Sequence, residues 1–88
     1  SVTAIKAKDF RTVVSKVAQM ECAKCERKVK KNIKFKKGLK NFKTDLKERT
    51  VTSTYDAEKT NVEKLKEGFR KFKYEAVVIK EAKETDKK

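Results

Sequence analysis

The sequence predicts a single α+β domain whose six elements follow one another in the order β-α-β-β-α-β. The 88 residues suffice for one hydrophobic core and leave no room for a second. Segments rich in β-branched residues alternate along the chain with segments whose apolar residues recur every three or four positions. This order is typical of a ferredoxin-like sandwich, in which a four-stranded antiparallel sheet carries two helices on one face.

The first strand and the first helix are predicted from the N-terminal half. Residues 10–18 are rich in β-branched side chains and predict a strand. A loop follows and leads into a helix in which Cys25, Val29 and Ile33 recur at a spacing of four. We expect Gly38 to end this helix, because glycine readily adopts the left-handed conformation of a helix C-terminus.

A β-hairpin is predicted next. Residues 39–46 predict a strand, with alternation clear from Phe42 onward, and residues 50–55 are β-rich with Val51, Ser53 and Tyr55 on one face. Residues 45–49 supply a polar turn. Two strands joined by so short a segment pair as antiparallel neighbours.

The second helix and the last strand complete the order. Thr60 followed three residues later by Glu63 is a signature of a helix start. An apolar stripe at helical spacing then continues to residue 73 and consists of Val62, Leu65, Phe69 and Phe72. Residues 74–79 have strand composition and predict the final strand.

These elements divide the chain into three parts. Residues 1–9 are expected to be a flexible basic leader, residues 10–79 the folded domain and residues 80–88 a disordered charged tail. No apolar run approaches the ~18 residues of a membrane span. The absence of an initiator Met and the basic leader favour export to the periplasm over the cytoplasm.

The net charge of +13 arises from 26 Lys and Arg against 13 Asp and Glu. Such an excess attracts anionic surfaces, whether nucleic acid, acidic lipid or an acidic protein. Because the lysines are spread along the whole chain, their role as solubilising residues accounts for them equally well.

The two cysteines, Cys22 and Cys25, lie three residues apart where the first helix is expected to begin. Thiolates at this spacing converge on one soft ion: Cu(I) and Hg(II) accept two sulfurs, whereas tetrahedral Zn(II) would leave positions for outside ligands. A closed zinc site needs four ligands, and the chain has no further cysteine and no histidine. A thioredoxin-type enzyme needs a cis-proline, and the chain has no proline. An open two-thiolate site is therefore predicted, with a pair of ordinary buried thiols as the alternative.

The sequence around this Cys-x-x-Cys motif resembles the heavy-metal-associated domain family, and the resemblance covers residues 10–79. The matching positions are Met20-Glu21-Cys22-Ala23-Lys24-Cys25, the turn Gly38-Leu39, Asp56 at the end of the third strand and Tyr74. The family includes copper chaperones, the metal-binding repeats of metal-transporting P-type ATPases and the periplasmic mercuric-ion-binding protein. Gln19 and Lys73 stand where the family pattern has glycine, and Thr44 and Ser53 where it has buried valines.

The resemblance implies a metallochaperone without enzymatic activity. It would bind one Cu(I), or Hg(II), Zn(II) or Cd(II), through Cys22 and Cys25 and pass it on by ligand exchange. The partner implied is a metal-transporting P-type ATPase or another metal-binding protein with an acidic surface. We expect a monomer, with a metal-bridged dimer as the alternative, and no specific nucleic acid.

Five further residues are candidates for supporting roles near the cysteines. Met20 is expected to pack under the loop rather than to bind metal. Glu21 is either a solvated acid or an additional ligand of a harder Zn(II) or Cd(II) site. Lys24 and Lys28 either balance the charge of a dithiolate–Cu(I) unit or solubilise the surface. Tyr74 either shields the loop, with its hydroxyl at a cysteine sulfur, or packs in the core.

Two other function classes use the same features differently. A thiol–disulfide redox module would use the cysteines without metal, and a reductase assay with a measured reduction potential would reveal it. A nucleic-acid-binding domain would stack bases on exposed aromatics of the sheet, for which Phe10, Phe42 and Tyr55 are the candidates. If Phe42 and Tyr55 face the helices, no such platform remains.

Overall fold

The computed structural model describes residues 9–34 and 36–83, and the six elements occur there in the predicted order. The elements are β1 (Phe10–Lys16), α1 (Ala23–Ile33), β2 (Leu39–Asp45), β3 (Thr50–Asp56), α2 (Val62–Arg70) and β4 (Val77–Lys83). The predicted leader residues 1–8 and tail residues 84–88 lie outside the described residues. Neither described helix has the length and apolar character that crossing a bilayer requires.

The four strands form one antiparallel sheet in the order β2-β3-β1-β4. Ser53 of β3 lies opposite Val13 of β1 on one side and Phe42 of β2 on the other. The pairing of β1 with β4 shifts register between Val14 and Ser15. Because successive side chains point to opposite faces of a sheet, Val13 and Ser15 of β1 share one buried face with Val51, Ser53 and Tyr55 of β3.

The buried side chains join this face to the two helices in two clusters. The larger cluster contains Val17, Met20, Val29, Ile33, Val51, Phe69 and Ala76. The smaller cluster contains Val13, Tyr55 and Leu65. The apolar stripes predicted for the helices therefore supply the core, and the ferredoxin-like α+β fold is confirmed.

The first helix ends earlier than its sequence predicts. Ile33 is its last residue, and Gly38 lies in the turn before β2 rather than at the helix C-terminus. The amide of Lys36 donates to the carbonyl of Ile33, so the chain leaves the helix through a tight turn. Gly38 has φ +85°, and a Cβ there would lie 2.8 Å from Cγ2 of Thr60. Glycine is required at this turn both for its backbone conformation and for a close approach.

The sequence pattern indicates Thr60 as the cap of the second helix, but Asn61 is the residue that caps it. The backbone of Asn61 is extended, and its side-chain oxygen accepts a hydrogen bond of 2.9 Å from the amide of Lys64. Thr60 is buried instead, because it packs against Gly38. The helix ends at Arg70, so Phe72 lies beyond its C-terminus.

The last strand is displaced toward the C-terminus relative to the predicted residues 74–79. The amide of Tyr74 donates to the carbonyl of Phe69, which holds the chain in a turn after α2. Residues 80–83, assigned from sequence to the charged tail, continue β4 and pair with β1. Charged residues suit this position because β4 is an edge strand.

Candidate metal centre

Cys22 and Cys25 are brought together at the start of α1. Cys22 is the N-cap residue, and its sulfur accepts a hydrogen bond of 3.3 Å from the amide of Cys25. Both cysteines are free thiols, and their sulfur atoms lie 2.6 Å apart. The pair therefore sits at the positive end of the helix dipole, where negative charge on sulfur is favoured.

The two sulfurs differ in their surroundings. Cys22 is exposed, whereas Cys25 is half-buried and packs against the larger core cluster. Met20 is fully buried in that cluster, so its thioether contributes to the core beneath the loop. One sulfur thus faces solvent while the other rests on the protein interior.

Tyr74 reaches the pair from the loop between α2 and β4. Hydrogen bonding to the sulfur of Cys25 is the main reason that the pKa of Tyr74 is raised to about 12. The pKa of Cys25 is lowered to about 7, chiefly by its hydrogen bond with Cys22, then by Tyr74 and by nearby backbone amides. Hydrogen bonds to a thiolate stabilise the charged form, and here they outweigh desolvation.

Lys28 lies against the aromatic residues of the same loop. Its Nζ is 5.3 Å from the ring centroid of Tyr74 and 6.0 Å from that of Phe72. The two rings are themselves in contact, with centroids 5.1 Å apart and planes inclined by 57°. Lys24 is exposed and lines a groove on α1 together with Lys28.

Glu21 is exposed beside Cys22. Within residues 9–34 and 36–83, no three His, Cys, Asp or Glu side chains are grouped so that they could hold a metal ion. The geometry of the described residues is therefore that of a two-sulfur site, and a harder ion would need ligands from outside it.

Two contacts of the cysteine loop were not apparent from the sequence. The side-chain oxygen of Gln19 accepts a hydrogen bond of 3.2 Å from the amide of Glu75, which joins this loop to the loop before β4. The ring contacts of Lys28 were also missed, although its position three residues after Cys25 put both side chains on one helix face. Lys73 has φ +67°, a conformation that glycine adopts at less cost.

The aromatics proposed for base stacking are not available as a platform on the described strands. Phe42 packs against the larger core cluster, and Tyr55 is buried in the smaller one. Phe10 is half-buried, and Nζ of Lys40 lies 4.4 Å from its ring centroid. The geometry thus gives no support to the nucleic-acid alternative.

Two solved structures resemble this chain over nearly their whole length. Oxidized MerP from Ralstonia metallidurans CH34 is 30% identical, covers 81% of this chain and 99% of its own, and has a TM-score of 0.77. The mercury-bound form of MerP, the periplasmic protein from the bacterial mercury detoxification system, is 28% identical with the same coverage and a TM-score of 0.69. No curated protein sequence is similar enough to count as a relative.

The family itself is established by the sequence of the folded part. Residues 14–75 match the heavy-metal-associated domain, a span that includes both cysteines, both helices and Tyr74. The match covers well over half of the chain and agrees with the resemblance seen around the Cys-x-x-Cys motif. The chain belongs to the heavy-metal-associated domain family.

Proposed function

We propose that this protein is a carrier of one soft metal ion, held by Cys22 and Cys25, rather than an enzyme. The observation that carries the proposal is the pair of free sulfurs, 2.6 Å apart at the start of α1, of which Cys22 is exposed. Two adjacent thiolates hold a soft ion firmly, and an exposed one leaves that ion within reach of another protein.

The proposed cargo is an ion that is stable with two sulfur ligands. Cu(I), favoured by the sequence, and Hg(II) meet this condition. The similarity to mercury-bound MerP supports Hg(II) as strongly as the motif supports Cu(I). Zn(II) and Cd(II) fit less well, because the described residues offer no group of three ligands.

An ion held linearly by two sulfurs needs them on opposite sides of it, so loading with metal requires a cysteine side chain to rotate. The exposed side chain of Cys22 has the room to rotate, while Cys25 is held between the core and Tyr74. We therefore expect Cys22 to make most of this movement.

Transfer would proceed by exchange of thiolates without any change in oxidation state. A thiolate of the partner binds the ion and gives a three-coordinate intermediate. One protein sulfur then leaves and takes up a proton, and a second exchange releases the ion completely. Because Cys22 is the exposed ligand, its side of the ion is the side open to attack.

The proposed partner is a metal-transporting P-type ATPase or another metal-binding protein with an acidic surface. The exposed cations Lys24, Arg27, Lys28 and Lys31 line a groove of α1 beside the cysteines. Such a surface speeds encounter with a partner of opposite charge. We also propose export to the periplasm, which the description of MerP as a periplasmic protein supports.

The function is tested by anaerobic titration of the reduced protein with Cu(I) and with Hg(II) against a competing chelator. We expect a 1:1 complex by mass spectrometry. Cys22→Ser and Cys25→Ser should each weaken binding by about 100-fold or more, since ~10–16 kcal/mol for four metal ligands is about 3 kcal/mol per ligand. Met20→Leu is the matched control: it removes the third sulfur of the loop at nearly constant volume, and it should leave affinity unchanged.

A 1:1 complex that resists the chelator in the double cysteine variant would contradict the proposal. A loss of affinity in Met20→Leu would instead make Met20 a ligand. If the reduced protein binds neither ion but turns over disulfide substrates, the close sulfur pair belongs to a redox module.

A further inference from the structure

The contact between Lys28 and the aromatic rings is a second feature of the site that the cysteine motif does not explain. The ammonium of Lys28 lies 5.3 Å from the centroid of Tyr74 and 6.0 Å from that of Phe72. Phe72 in turn contacts the buried Phe69, with ring centroids 5.8 Å apart. The three tilted rings and the cation thus form one continuous row of contacts from the core to the surface.

The backbone after α2 directs two of these rings to the same place. Lys73 adopts a left-handed conformation with φ +67°, and the amide of Tyr74 donates to the carbonyl of Phe69 at 3.0 Å. This turn folds the chain back, so that Phe72 and Tyr74 lie in ring contact on either side of Lys73.

Tyr74 is consequently held at two points by the same helix. Tyr74 and Cys25 pack against the same core cluster, and hydrogen bonding between them raises the pKa of the tyrosine. The Tyr74 ring also lies near the ammonium of Lys28, one turn further along α1 than Cys25. A cation within about 6 Å of an aromatic centroid is attracted to the ring. The cation therefore restrains the ring, and the ring places the hydroxyl.

We propose that Lys28 is a positioning residue of the metal site, which acts through Tyr74 to hold its hydroxyl on the Cys25 sulfur and so slows release of the bound ion. The inference rests on the proposed function, because it takes Cys25 to be a ligand. A hydrogen bond from the hydroxyl stabilises negative charge on the metal-bound sulfur. This stabilisation is lost when the ring is free to swing away.

The test compares three single variants of α1. Lys28→Gln removes the cation from the rings, whereas Lys28→Arg keeps a cation that stacks on aromatic faces. Lys31→Gln is the matched control, because it removes the same charge one turn away in the same groove, and release to dithiothreitol involves no docking of a protein partner on that groove. Transfer of Hg(II) and of Cu(I) from the loaded protein to excess dithiothreitol is followed by stopped flow.

We expect Lys28→Gln to release the ion about 2- to 5-fold faster than the unaltered protein. Lys28→Arg and Lys31→Gln should resemble the unaltered protein. In a Tyr74→Phe background, which keeps a ring but lacks the hydroxyl, Lys28→Gln should have clearly less effect. Equal rates for Lys28→Gln and Lys31→Gln, or an undiminished effect of Lys28→Gln in that background, would overturn the proposal.

A metal-free measurement separates this inference from the proposed function. In the reduced protein, nuclear Overhauser contacts between the Tyr74 ring and the β-protons of Cys25 should weaken in Lys28→Gln and persist in Lys28→Arg. Unchanged contacts in Lys28→Gln refute the positioning role even if metal binding is intact. Failure of the unaltered protein to bind either ion refutes the carrier function, while these contacts still decide whether Lys28 positions Tyr74.

Discussion

At the scale of single residues, Cys25 shows how packing and reactivity combine in one side chain. It contacts the core cluster, which by itself would disfavour a charged thiolate. Its pKa is nevertheless lowered to about 7 because Cys22, Tyr74 and nearby amides hydrogen-bond its sulfur. Near neutral pH the sulfur is thus partly in the thiolate form, which is the form that binds metal, without being fully exposed.

The lowered pKa of Cys25 predicts how the alkylation of this residue depends on pH. The thiolate reacts with iodoacetamide and the thiol does not, so alkylation of Cys25 in the reduced, metal-free protein should rise with pH and be half-maximal near pH 7. Tyr74→Phe removes one of the hydrogen bonds that lower the pKa of Cys25, so the midpoint should move to higher pH. Peptide mapping by mass spectrometry measures the rate at each pH.

Tyr55→Phe is the control for this measurement, because Tyr55 belongs to the smaller core cluster and not to the one that Cys25 contacts. Its midpoint should equal that of the unaltered protein. A midpoint that stays in place or falls in Tyr74→Phe would show that the tyrosine hydroxyl does not stabilise the thiolate.

At the scale of secondary-structure elements, the two glycines differ in whether their positions tolerate a side chain. Gly38 lies in the turn that joins α1 to β2, with φ +85° and with Thr60 in the space that a Cβ would need. Gly68 lies inside α2, where a Cβ would meet Cε of Lys36 at 3.1 Å, the end of a flexible side chain. The same substitution should therefore change stability in opposite directions at the two sites.

We expect Gly38→Ala to lower the free energy of unfolding by at least about 1–2 kcal/mol, because an L-residue is strained in the left-handed region. Gly68→Ala should raise it by about 0.5–1 kcal/mol, since alanine favours a helix interior more than glycine does. Urea unfolding followed by circular dichroism measures both. A stabilising Gly38→Ala would mean that this turn does not have the conformation described.

At the scale of the whole molecule, the net charge of this domain determines which partners it attracts. A net charge of +13 repels other copies of the chain and attracts anionic partners over several ångströms. The exposed cations of α1 place part of that charge beside the cysteines. Delivery of the ion should consequently depend on salt when the acceptor is acidic.

The rate of metal transfer to an acidic metal-binding domain should fall by about tenfold or more between 10 and 150 mM salt, because the screening length drops from ~30 to ~8 Å. Transfer to dithiothreitol, which is neutral, provides the control and should hardly change. A double substitution of Lys24 and Arg27 by Gln should reduce the salt dependence of the first reaction. Equal salt dependence for both acceptors would argue against electrostatic docking.

Local patterns were enough to predict the order of the elements and the proximity of the two cysteines. Apolar spacing in α1 and alternation in β3 depend on neighbouring residues alone. Residues three apart at a helix start are adjacent whatever the rest of the chain does, so the Cys22–Cys25 pair followed directly.

The element boundaries and the surroundings of the sulfurs were decided only by tertiary structure. Asn61 rather than Thr60 caps α2 because Thr60 is needed against Gly38, and β4 extends to residue 83 because β1 is there to pair with it. The hydrogen bond between Gln19 and Glu75 joins residues 56 positions apart. Contacts of this kind depend on how distant segments pack, and no local pattern in the sequence records them.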